Sequence, residues 1–138
     1  MRCIAYALIG LCSVATAQAG TVVVTIEGAQ SANGVLNAAL CDKGLSEEGC
    51  PIAQHRAAAT GKVEFRFENV QPGRYAVVGF HDVNGNRRFD RLLGMPQEPY
   101  ALFYNVAENL LPTFGDAAVA IGDGETRITL RLRRFMGK

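Results

Sequence analysis

The chain has 138 residues, 49% of them hydrophobic, with 14 basic against 13 acidic side chains. That is one domain's worth of sequence, long enough to bury about two-thirds of its unfolded surface without a metal or a partner. A near-zero net charge excludes any general attraction to nucleic acid or to an anionic membrane.

The first nineteen residues read as an export signal. Arg2 supplies the positive start, Cys3 to Ala15 the apolar stretch, and Ala17-Gln18-Ala19 a small-residue cleavage site. The apolar stretch is short of the roughly 20 residues that a membrane helix needs. Cleavage leaves 20–138 as a single domain, in which no membrane span is expected. It also removes Arg2, the one charged residue of the leader, and leaves 13 basic against 13 acidic residues. The product is expected in the periplasm or outside the cell.

Period-two alternation then dominates. Thr21–Glu27 sets Val22, Val24 and Ile26 against Thr21, Thr25 and Glu27, with Val23 the one apolar intruder. Ser31-Ala-Asn-Gly34 separates this strand from Val35–Cys41, and the pair reads as a hairpin. Cys41 and Cys50 are the two cysteines beyond the leader. They lack the two-residue spacing of redox pairs, and no nearby histidine completes a zinc set. A disulfide closing this short loop is expected, stabilising by roughly 2.5–3 kcal/mol.

Pro51–Thr60 holds good helix formers, and it reads equally as a short helix over one end of the domain or as an irregular crossover. Lys62–Glu68 alternates cleanly, with Val63, Phe65 and Phe67 on one face. Pro72-Gly73 is a turn, and Tyr75–Phe80, apolar on both faces, is expected to lie centrally. The connection from Val83 to Asp116 shows no regular pattern. Ala117–Ile121, the turn Gly122-Asp-Gly124 and the alternating Thr126–Arg133 complete the chain. Six such strands predict an all-β fold: a small antiparallel β-sandwich with one long irregular loop region. Arg127, Arg131 and Arg133 form a stripe on the last strand. With Glu64 and Glu68 on another strand, the stripe predicts cross-strand ion pairs rather than a nucleic-acid surface.

The loop Asp82-Val-Asn84-Gly-Asn86-Arg-Arg88-Phe-Asp90 carries the most chemistry. Asp82, Asn84, Asn86 and Asp90 place side-chain oxygens at positions one, three, five and nine of an EF-hand-type calcium pattern, and the Arg88 carbonyl serves position seven. Position six is Arg87 where glycine is usual, and position twelve is Leu93 where a bidentate glutamate is usual. Glu98 supplies a remote carboxylate if the chain folds back. The alternative is that these side chains cap the turns of their own backbone.

An enzyme reading, as a metal-dependent hydrolase, rests on His81, Asp82 and Glu98, with His55 in a segment of unsettled structure. It requires the first three to converge on one cavity. Neither Ser31 nor Ser46 sits in a nucleophile elbow. The leading reading is a non-enzymatic binding protein, with Tyr100, Phe103 and Tyr104 either as a binding surface for an unknown protein or glycan of the cell envelope or as a roof on the core. A third reading is an envelope-structural component that pairs through its edge strands.

Pro72-Gly73, Tyr75-Ala-Val77, Phe80-His-Asp82, Asn84-Gly-Asn86, Asp90, Gly94, Pro96 and Glu98 resemble the recurring core of a family of small exported bacterial proteins, domain-of-unknown-function family 2141. Phe114-Gly-Asp116-Ala resembles a later segment of the same family. The resemblance implies a transthyretin-like or immunoglobulin-like sandwich with no assigned activity. The chain departs from the family pattern at Arg87-Arg88, in place of a glycine-containing step, and at the bulky Leu102-Phe-Tyr104.

Overall fold

The computed structural model describes residues 14, 16–103 and 112–135. Apart from Val14 and 16–19, the expected leader lies outside the described residues, as does Tyr104. Strands β1 (Gly20–Glu27) and β2 (Val35–Cys41) are followed by a 3-10 turn at Glu47–Gly49, then β3 (Ile52–Ala57), β4 (Val63–Val70) and β5 (Gly73–Asp82). A small hairpin of β6 (Arg91–Leu92) and β7 (Met95–Pro96) comes next, then β8 (Tyr100–Leu102), the single-turn helix α1 (Phe114–Ala117), β9 (Ala118–Ile121) and β10 (Glu125–Arg131). Among the described residues no helix is long and apolar enough to cross a membrane.

The strands form a sandwich, as their alternation predicts. One sheet has the order β10-β1-β4 and the other β3-β2-β5-β8, with β9 continuing the edge of β5 beyond β8. The pairing is antiparallel except that β1 and β10 run parallel, from Thr21 opposite Glu125 to Glu27 opposite Arg131.

Three expectations are corrected. The strands flanking Ser31–Gly34 are not a hairpin: β1 and β2 belong to different sheets, so the turn is a crossover. Residues 51–60 hold neither a helix nor an irregular crossover but the edge strand β3, paired with β2 from Leu40 opposite Ile52 to Val35 opposite Ala57. The connection Val83–Asp116 contains β6, β7, β8 and the start of α1 rather than lacking regular structure.

Alternation also dictates the core. Val22, Val24 and Ile26 of β1, Phe65 and Phe67 of β4, and Ile128 and Leu130 of β10 pack on Leu36, Ala38 and Leu40 of β2 and Val77 of β5. Each fully buried large apolar side chain here stabilises by about 1.5–3 kcal/mol. Gly79 of β5 lets the sheets approach closely, since a Cβ there would lie 2.8 Å from Ile26 Cδ1 and 3.2 Å from Leu130 Cδ1. The intruder Val23 lies on the outer face yet is buried, with Arg66 and Arg127, long side chains whose aliphatic stems can cover apolar surface, as its cross-strand neighbours. Arg66 to Glu125, Arg127 to Glu64 and Arg131 to Glu27 are ion pairs between strands, as the charge pattern predicts, while Arg66–Glu68 and Arg127–Glu125 form within β4 and β10. Cys41 and Cys50 are disulfide-bonded.

Candidate functional site

The central strand β5 positions the site. Tyr75, Val77, Gly79 and His81 face the other sheet, while Ala76, Val78, Phe80 and Asp82 face outward. A second, smaller apolar cluster forms on that outer face around Cys41, Ala76, Tyr100, Leu102 and Ala117, with Leu45, Val78, Phe80, Phe89, Phe114 and Phe135 packed against it.

At the end of β5 the chain curls through the Asx-rich loop. Asp82 is fully buried, and its carboxylate accepts the backbone N–H of Asn86 at 3.1 Å and that of Arg87 at 2.7 Å. Asn84 Oδ1 accepts from the Asn86 N–H at 3.0 Å, and Asn86 Oδ1 from the Arg88 N–H at 2.9 Å. The side-chain amides of Asn84 and Asn86 both donate to Asp90, at 2.8 and 2.9 Å. Those two amides, Asn86 foremost, hold the Asp90 carboxyl below its ordinary pKa. Arg87 takes φ 65°, the left-handed conformation that the glycine of a calcium loop would occupy. The loop thus curls as the sequence pattern requires, and its side-chain oxygens accept the loop's own donors.

Glu98 does fold back onto this loop. It accepts the N–H groups of Val83 and Asp90, each at 3.2 Å, and so staples the two ends of the curl. Burial raises its pKa above the ordinary carboxyl value; the Asp82 and Asp90 charges add to the rise, and the two N–H donors oppose it.

His81 turns the other way. It is 1% exposed, and its Nε2 lies 2.7 Å from the Asn33 carbonyl, which only accepts, so Nε2 carries the proton. It pins the crossover at Ser31–Gly34, where a Cβ on Gly34 would lie 1.9 Å from the Asp82 carbonyl oxygen. His81, Asp82 and Glu98 therefore serve separate partners and do not converge on one cavity. His55 sits exposed on the edge strand β3. Among the described residues no three histidine, cysteine, aspartate or glutamate side chains gather to hold a metal.

The loop also builds a cleft. Phe89 folds back over the sheet, its ring 5.1 Å from that of Phe80 and 5.9 Å from that of Tyr100. Arg91 stacks on Phe89, its guanidinium 5.0 Å from the ring centre. Beside these rings opens a cleft of about 250 Å³, walled by Phe80, Phe89, Tyr100, Leu102 and Phe135 and edged by Arg91. Across Phe80 lies a second hollow of about 270 Å³ that includes Asn37, Ala39, Ala53 and Arg87. The Nδ2 atom of Asn37 is buried there with no hydrogen-bond partner.

Of the aromatic residues expected at a binding surface, Tyr100 is only 7% exposed and forms a wall of the cleft. Burial raises the pKa of its hydroxyl. Phe103 is half-buried and packs on the core between the sheets. Sequence reasoning missed Phe80, Phe89 and Asn37 as site residues. Phe89, an apolar ring inside an otherwise polar loop, was the available signal.

In comparison with known proteins, the model of the family described as "Uncharacterized protein conserved in bacteria (DUF2141)" matches residues 24–129. No curated protein and no solved structure matches.

Proposed function

The chain belongs to this family of uncharacterized bacterial proteins, and we propose that it is a non-enzymatic, exported binding protein that takes an apolar group with an anionic end into the cleft beside Phe80. The observation that carries this reading is the cleft itself: apolar and aromatic walls and a single cationic edge at Arg91. A pocket of this make holds the body of a ligand by apolar burial and orients it by one charge. A glycan, which needs many hydrogen-bonding groups, suits such walls poorly. An acyl or aromatic carboxylate, or the equivalent group of a partner protein, suits them well.

The chain has no tryptophan, so Phe89→Trp places a unique fluorophore in the cleft. Titration with a medium-chain fatty acid is expected to give a saturable change in its emission. Arg91→Gln is expected to weaken that binding by about threefold to fivefold, the worth of one partly exposed ion pair. Emission that stays unchanged with fatty acids and with aromatic carboxylates alike would dispose of the reading.

A second reading, a weak calcium-stabilised loop at 82–90, is favoured by one observation: Arg87 adopts the left-handed turn that such a loop requires at its sixth position. Millimolar calcium is then expected to raise the melting temperature, and Asp82→Ala to abolish the rise. No shift in the intact protein removes the ion from the account.

A further inference from the structure

The β6–β7 hairpin carries a surface that the cleft does not explain. Its register sets Arg91 opposite Pro96 and Leu92 opposite Met95. Side chains alternate across such a ribbon, so Arg91 and Pro96 share one face while Leu92 and Met95 share the other. The Arg91 face lines the cleft. The Leu92 face points away from it, with Leu92 60%, Leu93 89% and Met95 42% exposed. Together with Val83, these are four of the five large hydrophobic residues exposed among the described residues. Apolar residues scattered singly on a surface are ordinary, whereas a cluster at the tip of one hairpin marks an interaction site.

The turn itself sharpens the point. Leu93 and Gly94 have φ of 51° and 81°, the two-residue hairpin turn in which Asn-Gly is usual. A leucine held left-handed is strained, and at this exposure its side chain recovers nothing by packing.

Exposed cations stand in the chain that leads into the hairpin. Arg87, Arg88 and Arg91 are all exposed, and none belongs to the ion pairs of the three-stranded sheet. The carboxylates beneath them are turned inward. Asp82 and Glu98 are buried on backbone N–H groups, and Asp90 is half-buried on two asparagine amides. At no more than about 3.6 Å of chain per residue, Arg88 lies within roughly 15 Å of Leu92.

We infer that this hairpin is a membrane-docking finger: Leu92, Leu93 and Met95 enter the interface of an anionic phospholipid bilayer, and Arg87 and Arg88 meet its phosphates. Charge complementarity selects this occupant. An apolar tip alone would fit any greasy surface, but an apolar tip with exposed arginines in the adjoining chain fits a layer whose headgroups are negative and whose interior is hydrocarbon. The overall neutrality of the chain conceals this local field.

Docking is independent of the cleft, because neither Leu92 nor Met95 lines it, and the test uses reporters on that outer face. Met95→Trp in the full chain is mixed with vesicles of phosphatidylcholine alone, or with vesicles containing about one-third phosphatidylglycerol. Tryptophan emission is expected to shift to shorter wavelength, and to be quenched by lipids brominated along their acyl chains, only with the anionic vesicles. Arg87→Asn with Arg88→Gln is expected to lower the vesicle affinity about thirtyfold, at about 1 kcal/mol for each arginine near the surface. Leu92→Trp is the second reporter if Met95→Trp disturbs the fold by circular dichroism. Unchanged emission from both reporters with anionic vesicles overturns the inference. So does quenching that the arginine variant leaves intact. A shift that grows with protein concentration in the absence of lipid also overturns it, and identifies a second copy of the chain as the occupant.

Discussion

Glu98 is the residue on which the loop depends. Its carboxylate must be charged to accept two N–H groups well, yet burial works against that charge, and burial is the larger effect on its pKa. The sign of the pH dependence follows. A carboxyl whose folded-state pKa lies above its ordinary value of 4.5 favours the folded state most below that pH, and the advantage is lost as pH rises through the folded-state pKa. The stability of the natural protein relative to Glu98→Gln is therefore expected to fall on going from acid toward neutral pH and then to level. Urea denaturation at a series of pH values measures the difference, and a difference that is flat or rises with pH contradicts the account. The role of Glu98 was half legible in the sequence. Its place at the loop was legible only on the condition that the chain folds back, and the groups it meets were not legible: spacing alone does not separate a carboxylate that ligates an ion from one that accepts backbone N–H groups.

At the scale of elements, strands with one wet and one dry face were readable, as was the doubly apolar central strand β5, whereas the exposed edge strand β3 was not. Val63, Phe65 and Phe67 declare β4 because burial on one side imposes period two. In β3, Ala53, His55, Arg56 and Ala57 are all exposed, so no core face imprints a period. Its alanines and glutamine then read as helix formers, although hydrogen bonding to β2 decides the conformation. Similarly, Ser31–Gly34 marks a turn without saying which sheet the next strand joins; that is settled by His81 binding Asn33 and by β2 lying beside β5. Gly79 is the element-scale residue most sensitive to change. Gly79→Ala puts a methyl group against Ile26 and Leu130, and the resulting overpacking is expected to cost about 1–3 kcal/mol, read as a lower denaturation midpoint with unchanged slope. Loss of the slope as well would mean that the change reaches beyond this contact.

For the whole molecule, what matters most is which strands meet. The first strand of the sandwich and the last lie side by side and point the same way, with seven residue pairs in register. Tension applied between the two chain ends therefore pulls β1 and β10 past one another along their length. Their hydrogen bonds are loaded together, in shear, whereas an antiparallel pair would be peeled open one bond at a time. Stretched from its termini by force spectroscopy, the domain is expected to give way at a distinctly higher force than when it is pulled from residue 20 and residue 70, the paired ends of the antiparallel β1 and β4. A domain held at a membrane by one hairpin and tugged at its ends would yield at the surface contact long before it unfolded.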